Sequence, residues 1–194
     1  MSSYPLSVLS GLILLPAVAL LMGVAWERSR SRGREAALAW RDPRSGLYCS
    51  ALLLELLGRQ LAFAARLRHP VAVLMVELDG AHNPAMCQAL AQRLAARVRG
   101  YDLLGQWEEG RFLVVLPGSG VGAALVLAQD LCDGQIRRPP QPGSGPCQAS
   151  VGVHARQPAL RDATDELALA MVAAARRALD ATRADGAGRV VVEP

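Results

Sequence analysis

The chain has 194 residues, of which 52% are hydrophobic and 20% charged. That is enough for one packed domain plus an appendage, and it excludes wholesale disorder. All 21 basic residues are arginine, the net charge is only +4, and three Trp, three Tyr and two Phe leave little to stack bases on, so no nucleic-acid polymer is expected as a partner. Cys49, Cys87, Cys132 and Cys147 are scattered, with no CxxC pair and no histidine at ligand spacing. They read as ordinary thiols, and neither a metal nor a bound cofactor is expected.

Residues 5–26 carry no charge and are rich in Leu, Val and Ala. About 20 such residues span a hydrocarbon core, and Tyr4 and Trp26 bracket them where interfacial aromatics belong. The expectation is a transmembrane anchor over 1–26 and a basic juxtamembrane linker over 27–40. Arg28, Arg30, Arg32 and Arg34 in that linker place the rest of the chain inside a bacterial cytoplasmic (inner) membrane, in a single pass. A cleaved leader would put its basic residues before the apolar run, not after it.

The soluble domain is expected over 41–194, opening on the turn-rich Arg41-Asp42-Pro43-Arg44-Ser45-Gly46-Leu47. Residues 51–68 repeat Leu53, Leu56, Leu57, Leu61 and Ala64 at helical spacing. Residues 71–79 are a continuous apolar run bounded by Pro70 and Gly80, which suits a strand buried on both faces. A helix over 85–98 follows, with Leu90, Leu94 and Val98 on one side. Residues 103–107 and 112–116 form a hairpin around Glu108, Glu109 and Gly110. Further elements are a helix over 123–131, a Pro-rich loop over 137–146, a strand over 148–155, a helix over 161–183 and a last strand over 189–193. The fold class is α+β: a mostly antiparallel central sheet covered by helices.

This order, with its local motifs, resembles the GGDEF domain, the nucleotide-cyclase-like fold of bacterial diguanylate cyclases. Residues 42–47 look like the DPLTGL opening and residues 73–79 like the LLLLDLD strand. Residues 105–117 look like ARLGGDEFAVLLP, and Ser150-Val151-Gly152-Val153 like SIGV. Ala178-Leu179 with 186–192 looks like the C-terminal ALYxAKxxGRNRV.

The same resemblance implies that catalysis is lost. The GGDEF signature reads Glu108-Glu109-Gly110-Arg111-Phe112 here. Two glutamates replace the glycines that admit a triphosphate, and Arg111 stands where a metal-binding acid is required. The other metal acid falls on Glu77, the guanine-reading Asn and Asp on Ala85 and Met86, the phosphate-binding lysine on Arg183 and its preceding tyrosine on Asp180. Hence neither a catalytic nor a metal residue is expected, and the chain is read as no enzyme.

One family feature is kept. Arg99-Gly100-Tyr101-Asp102 matches the RxxD product-inhibition motif, five residues before Glu108. The resemblance implies a cyclic di-GMP site on Arg99 and Asp102. Arginine's fork suits guanine O6/N7 or a phosphate, and aspartate accepts guanine N–H protons. A surface ion pair or a turn cap is the other reading of such a pair, and a second RxxD stands at Arg177/Asp180. In the family a second arginine reaches this ligand from the helix after the hairpin, at the position of Asp130. The functional expectation is a membrane-anchored cyclic di-GMP receptor, a regulatory subunit of exopolysaccharide synthesis or secretion, whose protein partner is a synthase complex. The alternative is a nucleotide-independent interaction or dimerisation scaffold, and a homodimer stays open. A residual cyclase is the third reading. His69, His82 and His154 are isolated and form no ligand set.

Overall fold

A computed structural model describes residues 40–42, 45–78, 84–134, 148–186 and 188–193, with the side chains of 183–185 left aside. The anchor, most of the basic linker and the Pro-rich loop lie outside them. Among the described residues no helix is long and apolar enough to cross a membrane.

In chain order the elements are β1 (Tyr48–Cys49), α1 (Ser50–Leu67), β2 (Val71–Leu78), α2 (Pro84–Arg97), β3 (Leu103–Glu108), β4 (Arg111–Pro117), α3 (Val121–Asp133), β5 (Ala149–Arg156), α4 (Thr164–Asp185) and β6 (Val190–Glu193). The six strands form one sheet in the order β1-β3-β4-β2-β5-β6. Its three inner pairings are antiparallel. Both edge pairings, β1 with β3 and β5 with β6, are parallel. The sheet is therefore mixed, and its parallel edges are what the hydrophobic pattern alone does not convey.

β2 is central and every one of its residues is buried, as its unbroken apolar run predicts. Its side chains alternate between two cores because strand periodicity is two. Ala72, Leu74, Val76 and Leu78 meet Met86, Leu90 and Leu94 of α2 and Ala124, Ala128 and Leu131 of α3. Val71, Val73 and Met75 meet Leu53, Leu57 and Leu61 of α1 and Leu167, Met171 and Val172 of α4. The sheet thus lies between two helix pairs. The α4 backbone crosses β5 so closely that a Cβ at Gly152 would strike the Ala175 carbonyl and the Leu179 amide.

Three departures from the sequence reading have a local reason. The final helix starts at Thr164 rather than 161, because the Asp162 carboxylate accepts the Ala159 N–H at 2.8 Å and closes a turn there. Glu108 belongs to β3, opposite Arg111, so the hairpin tip is Glu109 and Gly110. Gly110 has φ +76° there, a conformation that favours glycine. β1 is too short for any periodicity to reveal. Asp42 prepares it by accepting the Ser45 N–H at 2.7 Å and the Ser45 hydroxyl at 3.0 Å.

Candidate functional site

The two ends of the β3 arm hold the two groups of interest. At the tip end, register places Glu77 of β2 directly opposite Arg111 of β4. Their side chains share a face, and Arg111 Nε lies 3.3 Å from Glu77 Oε2 with both side chains about nine-tenths buried. Arg111 also reaches Glu108 at 3.3 Å and Asp180 of α4 at 3.4 Å. Arg176, one turn earlier on α4, pairs with Glu108 at 3.0 Å. One buried guanidinium is therefore ringed by three carboxylates, and a second arginine closes the ring from outside.

This arrangement does not fit a divalent cation. The carboxylates that could ligate one already face a fixed positive charge, which repels a metal ion. Among the described residues no group of three or more His, Cys, Asp and Glu could hold a metal.

On the other face of the tip, a cleft of about 280 Å³ is lined by Cys87, Gln88, Gln106, Glu109, Gly110 and Phe112, with Ser45 and Pro84 at its edge. Among the described residues no cation lines it, and Glu109 contributes a negative charge. Burial first, and then the Glu109 charge, push the Cys87 thiol above its ordinary value. That keeps it protonated and a poor nucleophile. Met86, at a position the family uses to read guanine, is buried in the core, and Ala85 has no hydrogen-bonding side chain. The Arg183 side chain lies outside the described residues.

At the other end, α2 stops at Arg97 and residues 99–102 turn into β3. The Asp102 carboxylate accepts the Arg99 backbone N–H at 2.7 Å, and the Asp102 N–H donates to the Arg99 carbonyl at 3.0 Å. Asp102 is therefore a turn cap that fixes the backbone from which Arg99 projects. The Arg99 guanidinium is exposed and donates to the Tyr101 hydroxyl at 2.7 Å. That bond, with the Asp102 charge as a smaller cause, holds it firmly protonated. The two residues that the motif singles out meet in this turn, and their hydrogen bonds to each other run through the main chain.

The turn borders a cavity of about 340 Å³ whose walls include Arg97, Arg99, Asp102, Asp130 and Ser119, over an apolar floor that includes Leu116 and Leu127. Asp130 stands where the family supplies an arginine, but Arg97 brings a second cation from α2 and pairs with Asp130 at 2.8 Å. The sequence reading does not single out Arg97. The available signal was its place two residues before Arg99. The second RxxD copy is dispersed: Arg177 pairs with Glu193 at 2.9 Å, while Asp180 faces Arg111. His154 donates its Nδ1–H to the Glu193 carbonyl at 2.9 Å and belongs to the β5–β6 edge.

No protein-family model matches the sequence, and neither does any curated protein. Solved structures do match. The coiled coil and GGDEF domain of DgcB from Caulobacter crescentus, solved in complex with c-di-GMP, aligns with a TM-score of 0.67 at 15% identity, over 92% of this chain and 99% of that one. The diguanylate cyclase SiaD, in complex with its activator SiaC from Pseudomonas aeruginosa, aligns with a TM-score of 0.63 at 21% identity, over 97% of this chain and 76% of that one. The FimX GGDEF domain, also from Pseudomonas aeruginosa, aligns with a TM-score of 0.64 at 18% identity, over 79% of this chain and 99% of that one. The chain has the GGDEF-domain fold. At these identities the likeness establishes the fold, and the chemistry rests on the residues described above.

Proposed function

We propose that this chain is a catalytically inactive, membrane-anchored GGDEF-fold protein that senses cyclic di-GMP through Arg99 and Asp102. It passes that signal to a protein partner, with a synthase or secretion complex for exopolysaccharide as the target class. The observation that carries the inactive half is Arg111. A guanidinium ringed by Glu77, Glu108 and Asp180 sets a fixed positive charge among the carboxylates, which opposes the metal that nucleotide condensation would need.

The receptor half is supported by the turn. A protonated, exposed guanidinium beside a carboxylate, at the mouth of a cavity with an apolar floor, suits a guanine ring and its phosphate. Two solved structures of DgcB carry c-di-GMP on this fold. An activator protein is bound to SiaD, which makes a protein partner for this chain a reasonable target class. The placement of the apolar residues 5–26 and the arginines after them supports the inner-membrane anchor.

The test is isothermal titration of the full chain, held in mild detergent, with cyclic di-GMP. Saturable heat that disappears in Arg99→Ala is expected. No heat at high micromolar ligand, or heat unchanged in Arg99→Ala, sinks the receptor reading. Incubation with GTP and Mg²⁺ followed by chromatography addresses the other half. Any product formation lost in Glu77→Ala overturns inactivity.

One observation favours the scaffold alternative. Asp102 already caps its own turn, so the pair has a structural use without a ligand. Capture of the same partner protein by wild type and by Arg99→Ala would favour that reading.

A further inference from the structure

The cavity beside the Arg99 turn holds two arginines and two aspartates, and their pairing is uneven. Arg99 bonds a neutral phenol. Arg97 faces the Asp130 carboxylate, NH1 to Oδ2 at 2.8 Å. Resting on the cyclic di-GMP reading, we infer that Asp130 is a built-in competitor for the Arg97 guanidinium, and that Arg97 is the second cation that receives the ligand's phosphate once Asp130 is displaced.

Three features carry this. The first is position. Arg97 closes the last turn of α2 and Asp130 lies in the last turn of α3, so the pair bridges two helices across the cavity that Arg99 also lines. A phosphate bound by Arg99 therefore lies beside both.

The second is weakness. The Arg97 side chain is about half exposed and the Asp130 side chain more than a third. Asp130 Oδ2, the atom that faces Arg97, is itself buried but accepts no aligned hydrogen bond among the described residues, so the contact is one of charge rather than a directed bond. Half-exposed pairs of this kind contribute little and exchange readily. A phosphodiester offers the fork a bidentate partner that is better aligned.

The third is anchorage. Arg93, one helical turn before Arg97, donates to the Asp130 carbonyl at 2.6 Å and to the Gly134 carbonyl as well. It thereby fixes the end of α3. Asp130 can rotate its side chain, but its main chain stays beside the cavity. Its negative charge thus stays near an entering anion even after Arg97 lets go, and this opposes binding. Removing that charge while keeping the shape should tighten the complex. Removing Arg97 should weaken it.

The experiment is isothermal titration of the full chain with cyclic di-GMP, on wild type, Asp130→Asn, Arg97→Gln, Arg97→Lys and the Arg97→Gln/Asp130→Asn double variant, with thermal unfolding of each alongside. The expected result is Kd about fivefold lower in Asp130→Asn and about tenfold higher in Arg97→Gln. Arg97→Lys, which keeps the charge on a folded background, should lie between wild type and Arg97→Gln. In the double variant the gain from Asp130→Asn should be smaller than in the wild-type background but not vanish, because competition for the guanidinium needs Arg97 while repulsion of the anion does not. Binding in Asp130→Asn equal to wild type, or weaker because the carboxylate itself receives guanine N–H groups, overturns the competitor role while the receptor reading stands. No heat in either protein overturns both.

Discussion

The two ends of the β3 arm each pair arginine with acid, and they differ in what surrounds the guanidinium. At the tip, Arg111 is buried and faces Glu77, Glu108 and Asp180. At the turn, Arg99 is exposed and touches a phenol. A buried cation ringed by carboxylates has its charge answered within the fold and nothing left for a ligand. An exposed cation held by a neutral hydroxyl keeps its charge available. The same residue type is enclosed by carboxylates in one place and left exposed beside a phenol in the other, so burial and partner charge differ.

The largest expected effect would break the tip. Arg111→Ala takes the Arg111 guanidinium away from the buried Glu77 carboxylate, and loss of one partner of a buried pair costs about 3 kcal/mol. A lower midpoint in denaturant unfolding checks it, and Arg111→Lys should recover part of the loss. An unchanged midpoint would mean that the ring of carboxylates is not structural. Next comes the turn. Arg99→Ala should leave the midpoint of unfolding near wild type while weakening cyclic di-GMP roughly thirtyfold, as expected for a lost charge-assisted bond. A smaller effect belongs to Asp102→Ala. It removes the acceptor of the Arg99 N–H and should cost about 1 kcal/mol of stability as well as some affinity. The smallest is at the tip cleft. Glu109→Gln removes the second cause of the raised Cys87 value, so alkylation of Cys87 at pH 8 should quicken about twofold, read by peptide mass spectrometry.

Much of this architecture was legible in the sequence because it rests on local periodicity. The unbroken run of β2 predicted a strand buried on both faces, and Leu53, Leu57 and Leu61 predicted the core side of α1. Sheet order was not legible from pattern, since a strand's alternation does not name its neighbour. β1 escaped because two residues carry no period. At the tip, the exchange of an acid for Arg111 was visible as a change of charge. Asp180, which faces Arg111, and Arg176, which pairs with Glu108, lie more than sixty residues downstream and follow only from α4 lying across the sheet. At the turn, spacing found Arg99 and Asp102, yet only coordinates show that Asp102 bonds the backbone and that Tyr101 holds the guanidinium. Arg97 was passed over because a helix-terminal arginine ordinarily complements the helix dipole, and its pairing with Asp130 depends on α3 packing beside α2.

The most direct test of this division is the shift in unfolding temperature caused by cyclic di-GMP in wild type, Arg111→Ala and Arg99→Ala. A ligand that binds the native state raises that temperature by mass action, by about 2.7 kcal/mol of stability at a hundredfold excess over Kd. The account predicts a low starting temperature but a full ligand shift for Arg111→Ala, and a normal starting temperature with little or no shift for Arg99→Ala. A full shift in Arg99→Ala, or a shift lost in Arg111→Ala, would contradict it.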